Sequence, residues 1–118
     1  MKVVFKKDFE VIERELEDID DLSEFLQNEN IVEIEMPEGV EKVGENAFYR
    51  CENLKKITLP SSVKVLEKYA FAYCKNLEEI EIPEGVEKIG EGAFSSCKNL
   101  KKVTLPSSVN ELEILAFG

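Results

Sequence analysis

Apolar and polar positions recur along this chain with a period of 23 residues, held without insertion from Asn30 onward. Pro37, Pro60, Pro83 and Pro106 form one column, and Cys51, Cys74 and Cys97 another. Phe48, Phe71, Phe94 and Phe117 form a third, each preceded by alanine. Every unit opens with an alternation of period two. In Ile31–Met36, Ile34 and Met36 share one face, and Glu33 and Glu35 share the other. That pattern predicts a strand with one buried side, and Lys55–Leu59, Glu78–Ile82 and Lys101–Leu105 repeat it. Proline stops each strand, and Glu-Gly or Ser-Ser follows as a turn. An apolar pair at a spacing of three comes next: Val40 and Val43, Val63 and Leu66, Val86 and Ile89, Val109 and Leu112. The segment carrying Ala-Phe-x-x-Cys reads as a short helix. An asparagine two residues past each cysteine then turns the chain into the next strand.

A unit of this size cannot bury its apolar face alone. Fixed periods in this range indicate stacked supersecondary units, with successive strands ~4.8 Å apart in a parallel sheet. The expected fold class is an α/β solenoid, with a parallel β-sheet on one face and short helices on the other. Like residues then lie above like, as phenylalanine, aliphatic and cysteine ladders.

The first 30 residues are less regular. Met1–Phe5 and Phe9–Ile12 are β-prone runs around a polar break, which is a hairpin pattern. Phe9, Ile12, Leu16 and Ile19 also fit one amphipathic helix from Asp8 to about Leu26. Aligned with the later units, Asp8–Asn30 reads as a worn first repeat, with a strand near Phe9–Ile12 and a helix from about Asp20 to Gln27. Two regions follow: residues 1–30 as an N-terminal cap with a degenerate repeat, and residues 31–118 as four repeats, the last incomplete. A polar first unit is what the water-facing end of a stack requires.

Charge narrows the partners. The net charge is −10, and residues 1–30 alone hold 10 acidic against 4 basic side chains. An acidic chain is repelled by phosphate backbones and anionic lipid, so protein is the expected partner, with no nucleic acid and no membrane. No run reaches the ~18 apolar residues of a membrane helix. Met1–Lys7 is too short and too charged for a secretory signal.

The residues that suggest chemistry are better explained by the repeat. Three cysteines ~5 Å apart on successive coils are too far apart to share one metal, and parallel Cβ vectors suit a disulfide poorly. They read as small buried apolar residues. Gly90-Glu91-Gly92 lacks the lysine and third glycine of a phosphate loop. Ser61, Ser62, Ser107 and Ser108 are turn residues, and no histidine is present to activate a nucleophile. The acid pairs Glu33/Glu35 and Glu79/Glu81 sit on an open sheet beside lysines. The chain is therefore expected to be no enzyme, with no cofactor and no metal.

Asn53-Leu54-Lys55-Lys56-Ile57-Thr58-Leu59-Pro60 and Glu91-Gly92-Ala93-Phe94-Ser95-Ser96-Cys97 resemble the BspA-type leucine-rich repeats of bacterial surface proteins and some protist parasites. The resemblance covers Asn30 to Phe117 and extends more weakly over Asp8–Glu29. It implies a right-handed leucine-rich repeat coil, a cell-surface or secreted setting, and a non-enzymatic role in protein–protein interaction or adhesion. The candidate protein-binding face is the outward side of the sheet: Glu33, Glu35, Lys56, Thr58, Glu79, Glu81, Lys102 and Thr104. Its column Glu33, Lys56, Glu79, Lys102 alternates in sign, which is favourable between adjacent strands, and the face carries no aromatic residue. Turns alternate Glu-Gly, Ser-Ser, Glu-Gly, Ser-Ser. Such regularity leaves a second reading open, a designed or consensus scaffold with no natural ligand. The last unit has Ile114-Leu115 where others have Glu45-Asn46, Lys68-Tyr69 and Glu91-Gly92. An uncapped C-terminal end predicts self-association, as a homodimer, through Val103, Leu105, Leu112, Ile114, Leu115 and Phe117.

Overall fold

The computed structural model describes residues 2–7, 10–15, 26, 30–112 and 116–117. Its strands are β1 (Lys2–Lys6), β2 (Val11–Glu15), β3 (Glu33–Glu35), β4 (Lys42–Val43), β5 (Lys56–Thr58), β6 (Val65–Leu66), β7 (Glu79–Glu81), β8 (Lys88–Ile89), β9 (Lys102–Thr104) and β10 (Glu111–Leu112). They form two sheets, ordered β2-β1-β3-β5-β7-β9 and β10-β8-β6-β4. Each repeat pairs with the next in parallel, one period apart. Ile34 lies beside Ile57, Ile57 beside Ile80 and Ile80 beside Val103.

Each coil contributes two strands rather than the one that its alternation predicts. The second is the two-residue segment that ends on Val43, Val65-Leu66, Ile89 or Leu112. Its first member of the aliphatic pair and its last both face the core: Val40, Val43, Val63, Leu66, Val86 and Ile89 are buried. A spacing of three suits a helix in isolation. Here the identical segment of the neighbouring coil supplies backbone partners, and an extended ladder forms instead.

The short helices expected at Ala-Phe-x-x-Cys are absent among the described residues; those segments are chains of tight turns. Ala47, Tyr49 and Cys51 donate their N–H to the carbonyls of Gly44, Asn46 and Phe48, three residues back, at 3.1, 3.1 and 3.2 Å. The alternate N–H groups, of Asn46, Phe48 and Arg50, instead donate to Lys68, Ala70 and Ala72 of the next coil at 3.2, 2.8 and 2.9 Å. An α-helix would keep every N–H within its own coil. Positive φ at Asn46 (61°) and Arg50 (60°) also interrupts any right-handed run. The expected helix near residues 20–27 lies outside the described residues except for Leu26, which is buried.

The N-terminal hairpin forms. β1 pairs antiparallel with β2, Phe5 opposite Ile12, and Lys7 N–H donates to the Glu10 carbonyl at 2.9 Å across the bend. β1 also runs antiparallel to β3, Phe5 opposite Ile34. It therefore occupies the place beside β3 that a preceding repeat strand would take. Val3 and Phe5 are buried against the first coil, while Phe9 lies outside the described residues.

The core is a set of ladders. Phe48, Phe71, Phe94 and Phe117 stack face to face, with centroids 5.1, 5.3 and 5.1 Å apart and planes within 1°, 6° and 4°. That spacing follows the strand separation. Asparagines lock the coil corners: Asn76 and Asn99 donate to the carbonyls of Glu52 and Lys75, each at 2.7 Å. The alternating turns prove complementary. Ser62 Oγ accepts from Gly39 N–H at 3.0 Å and donates to the Val40 carbonyl at 2.7 Å. Ser108 does the same to Gly85 and Val86 at 3.0 and 2.8 Å. Gly39 and Gly85 sit at φ of 103° and 104°, which a side chain would resist. Each Ser-Ser turn therefore clamps the Glu-Gly turn of the preceding coil, and at the turns the hydrogen-bonded unit is a pair of repeats.

Candidate protein-binding site

Alternation along β5, β7 and β9 turns Ile57 and Ile80 inward and leaves the flanking polar side chains outward. The outward groups line a groove of about 360 Å³. Six of the expected face residues border it, namely Lys56, Thr58, Glu79, Glu81, Lys102 and Thr104, over a floor that includes Leu59 and Pro83. Glu33 and Glu35 are not among its lining. They stand on β3, where Lys6 of β1 reaches them at 3.6 and 3.5 Å.

The register sets Glu33 beside Lys56, Lys56 beside Glu79, and Glu79 beside Lys102. The alternating column is thus real. Among the described residues, however, Lys56, Glu79 and Lys102 close no ion pair with one another; ion pairs form at Lys68–Glu91 (3.7 Å), Lys75–Glu52 (3.8 Å) and Lys88–Glu111 (3.1 Å). Charges held side by side without contact remain able to engage an incoming partner. Thr58 and Thr104 add hydroxyls that both donate and accept.

The cysteines offer no reactive thiolate at neutral pH. Burial pushes Cys51 up to about 12 and Cys97 up to about 11, and raises Cys74 as well. Cys74 and Cys97 donate their S–H to the carbonyls of Phe48 and Phe71, each at 3.1 Å.

At the C-terminal end, β9 is the outer strand of its sheet. Val103 is half-buried, and Leu105 and Phe117 are 46% and 41% exposed although Phe117 stacks on Phe94. Leu112 lies in β10. Ile114 and Leu115 lie outside the described residues.

One cluster was not anticipated. Tyr49, Tyr69 and Tyr73 gather with Asn46 around an open cup of about 530 Å³ on the turns of two adjacent coils. The repeat columns held a signal for it. Position 46 becomes Tyr69 and then Gly92, and position 50 becomes Tyr73 and then Ser96. These columns change in character while the core columns stay apolar.

Residues 9–118 match the BspA type leucine rich repeat region in 6 copies. No curated protein matches this chain. Among solved structures, a leucine rich repeat protein of T. pallidum is 33% identical with a TM-score of 0.66, over 70% of this chain and 41% of that one. A leucine rich cell surface protein from Faecalibacterium prausnitzii A2-165 is 34% identical with a TM-score of 0.53, over 73% of this chain and 30% of that one. A leucine-rich repeat protein from Bacteroides ovatus ATCC 8483 is 28% identical with a TM-score of 0.55, over 93% of this chain and 33% of that one. This chain thus spans less than half the length of each. Repeat period, paired parallel sheets and sequence match agree: the chain belongs to the BspA-type leucine-rich repeat family.

Proposed function

We propose that this chain is a non-enzymatic protein-binding module of the adhesive kind, and that its partner docks in the sheet groove. The groove itself carries the reading: a depression of about 360 Å³ bordered by two glutamates, two lysines and two threonines. Family membership supports it, as does the description of one structural relative as a cell surface protein. The net charge of −10 favours a basic partner, recruited at a rate that falls with added salt. Residues 1–30 act as the cap in this reading, with residues 31–118 presenting the groove. Biolayer interferometry of the full chain against a panel of immobilised basic and acidic matrix proteins tests it. Saturable binding is expected, lost in the Glu79→Lys/Glu81→Lys variant with its circular dichroism unchanged. Binding to none of them, or binding indifferent to that variant, sinks the reading; an inert scaffold gives the former.

We propose in addition that the C-terminal end pairs with a second copy of itself. The exposure of Leu105 and Phe117 beside the outer strand β9 favours this. Antiparallel pairing about Val103 would set each Lys102 opposite Thr104 of the other copy, so no like charges oppose. Sedimentation equilibrium should show dimers that dissociate in Leu105→Lys; a monomer at millimolar concentration refutes the pairing.

A further inference from the structure

Across its strands, the sheet groove presents one column of charge in the order Lys56, Glu79, Lys102. A second column, Thr58, Glu81, Thr104, runs beside it and repeats the carboxylate at the centre. Strand separation sets the step at ~4.8 Å, so the two outer positions of each column stand about 10 Å apart. All six side chains are exposed. Among the described residues, Lys56, Glu79, Glu81 and Lys102 close no ion pair.

That order of charge selects its partner. A polyanion laid along the groove meets Glu79 and Glu81 between the two lysines. A polycation meets Lys56 at one end and Lys102 at the other. What fits is an anion, a cation and an anion in line, one above each strand. The two columns lie two residues apart along each strand, ~6.7 Å, so one central cation reaches both Glu79 and Glu81.

Backbone chemistry then selects the partner's secondary structure. β5 and β7 are each paired on both sides, so their main-chain groups are already engaged and offer no ladder to a segment lying on this face. An extended segment would cover the groove with its own N–H and C=O groups unpartnered by protein. An α-helix satisfies its own. The spacing agrees. Helical residues i, i+4 and i+7 share one stripe and span about 10.5 Å, close to the column's length of about 10 Å. Same-side residues of a strand, i, i+2 and i+4, span ~13 Å and fall out of step.

We propose, resting on the sheet groove as the docking face, that its partner is an α-helix with the stripe Glu-x-x-x-Lys-x-x-Glu, laid across β5, β7 and β9. Its glutamates meet Lys56 and Lys102, and its lysine sits between Glu79 and Glu81. The probe is a fluorescein-labelled, hydrocarbon-stapled, alanine-rich helix of roughly 18 residues bearing that stripe. The full chain is titrated into it at low salt and followed by fluorescence anisotropy. One control helix carries the inverted stripe, Lys-x-x-x-Glu-x-x-Lys, with lysines on its far face adjusted to equal net charge. A second control holds the original three charges at i, i+2 and i+4 in a proline-interrupted, extended peptide.

The first helix should bind saturably, and each control about tenfold or more weakly. Lys56→Glu/Glu79→Lys/Lys102→Glu keeps the alternation within the groove and should reverse the preference between the two helices with its circular dichroism unchanged. If that variant does not fold, Glu79→Lys alone should weaken the first helix by about tenfold. Equal binding of the two helices, tighter binding of the extended peptide, or a preference that survives these variants overturns the proposal. So does a dimer that persists in Leu105→Lys and dissociates in the triple variant, because a second copy then fills the groove. Failure of all three peptides while binding to the matrix proteins persists sinks the helix alone; failure of both sinks the groove with it.

Discussion

Removing one ring from the phenylalanine ladder should cost very different amounts at its middle and at its end. Phe71 is fully buried between Phe48 and Phe94, at 5.1 and 5.3 Å. Phe117 has one described stacking partner, Phe94 at 5.1 Å, and is 41% exposed. A buried Phe→Ala change costs about 3–5 kcal/mol, and each stacked pair contributes about 0.5–1.5 kcal/mol beyond area. Phe71→Ala loses two such pairs and opens a cavity inside a close-packed stack, so about 4–5 kcal/mol is expected. Phe117→Ala loses one pair and little more than half of its burial, so about 1.5–2 kcal/mol is expected. A domain of this size holds roughly 6–18 kcal/mol in total; Phe71→Ala therefore threatens folding and Phe117→Ala does not. Urea unfolding at micromolar concentration, followed by circular dichroism and tyrosine fluorescence, measures both. Equal losses for the two variants, with unchanged m-values, would refute the open-ended ladder, since Phe117 would then be enclosed as fully as Phe71.

Ser62→Ala removes both the acceptor for Gly39 N–H and the donor to the Val40 carbonyl; a loss of about 1–3 kcal/mol in urea midpoint analysis is expected. Gly90→Ala would place a Cβ 2.8 Å from the Lys68 nitrogen and 2.9 Å from the Glu67 carbonyl carbon. Because those atoms are backbone, the coils must part, and a loss of about 2 kcal/mol or more is expected by thermal melting. Alkaline pH should destabilise the fold through its thiols. Their native pKa values lie above the ordinary 9.0, at about 12 for Cys51 and about 11 for Cys97. The unfolded chain therefore loses thiol protons first as pH rises. The stability from burial is whole below pH 9 and drains between pH 9 and about 12. A Cys51→Val/Cys74→Val variant should show a shallower alkaline limb than the parent. If the two curves are parallel, the thiols are not buried as described.

The tyrosine cup and the sheet groove differ in how readable they were. Lys56, Thr58, Glu79, Glu81, Lys102 and Thr104 came together because a fixed period and a two-residue alternation place them in register on one face. The same rule places Glu33 and Glu35 on that face, and only the structure sets them apart from the groove, beside Lys6 of β1. The cup joins Tyr49 of one coil to Tyr69 and Tyr73 of the next, at three different repeat positions. Their meeting depends on positive φ at positions 69 and 73 and on the bare backbone of Gly92. Those are properties of turns packed against turns. The same holds at the N-terminus: the β-prone runs were visible, but the insertion of β1 between β2 and β3 was not, because strand order follows from which edge is left open.

By itself the sequence determined the period, the inward columns and the registers, since identical units stack like upon like and a buried face tolerates no slip of one residue. It also led to reading the cysteines as packing residues; the structure buries Cys51 and Cys74 and half-buries Cys97. Only the tertiary structure decided that Ala-Phe-x-x-Cys is a run of turns, that the aliphatic pair builds a second sheet, and that Ser-Ser turns clamp Glu-Gly turns. In each case the deciding partner is a backbone or hydroxyl group about 23 residues away. Local spacing states what a segment could form alone. The carbonyls of the neighbouring coil take every second N–H, and that exchange of partners turns a helical pattern into a solenoid wall.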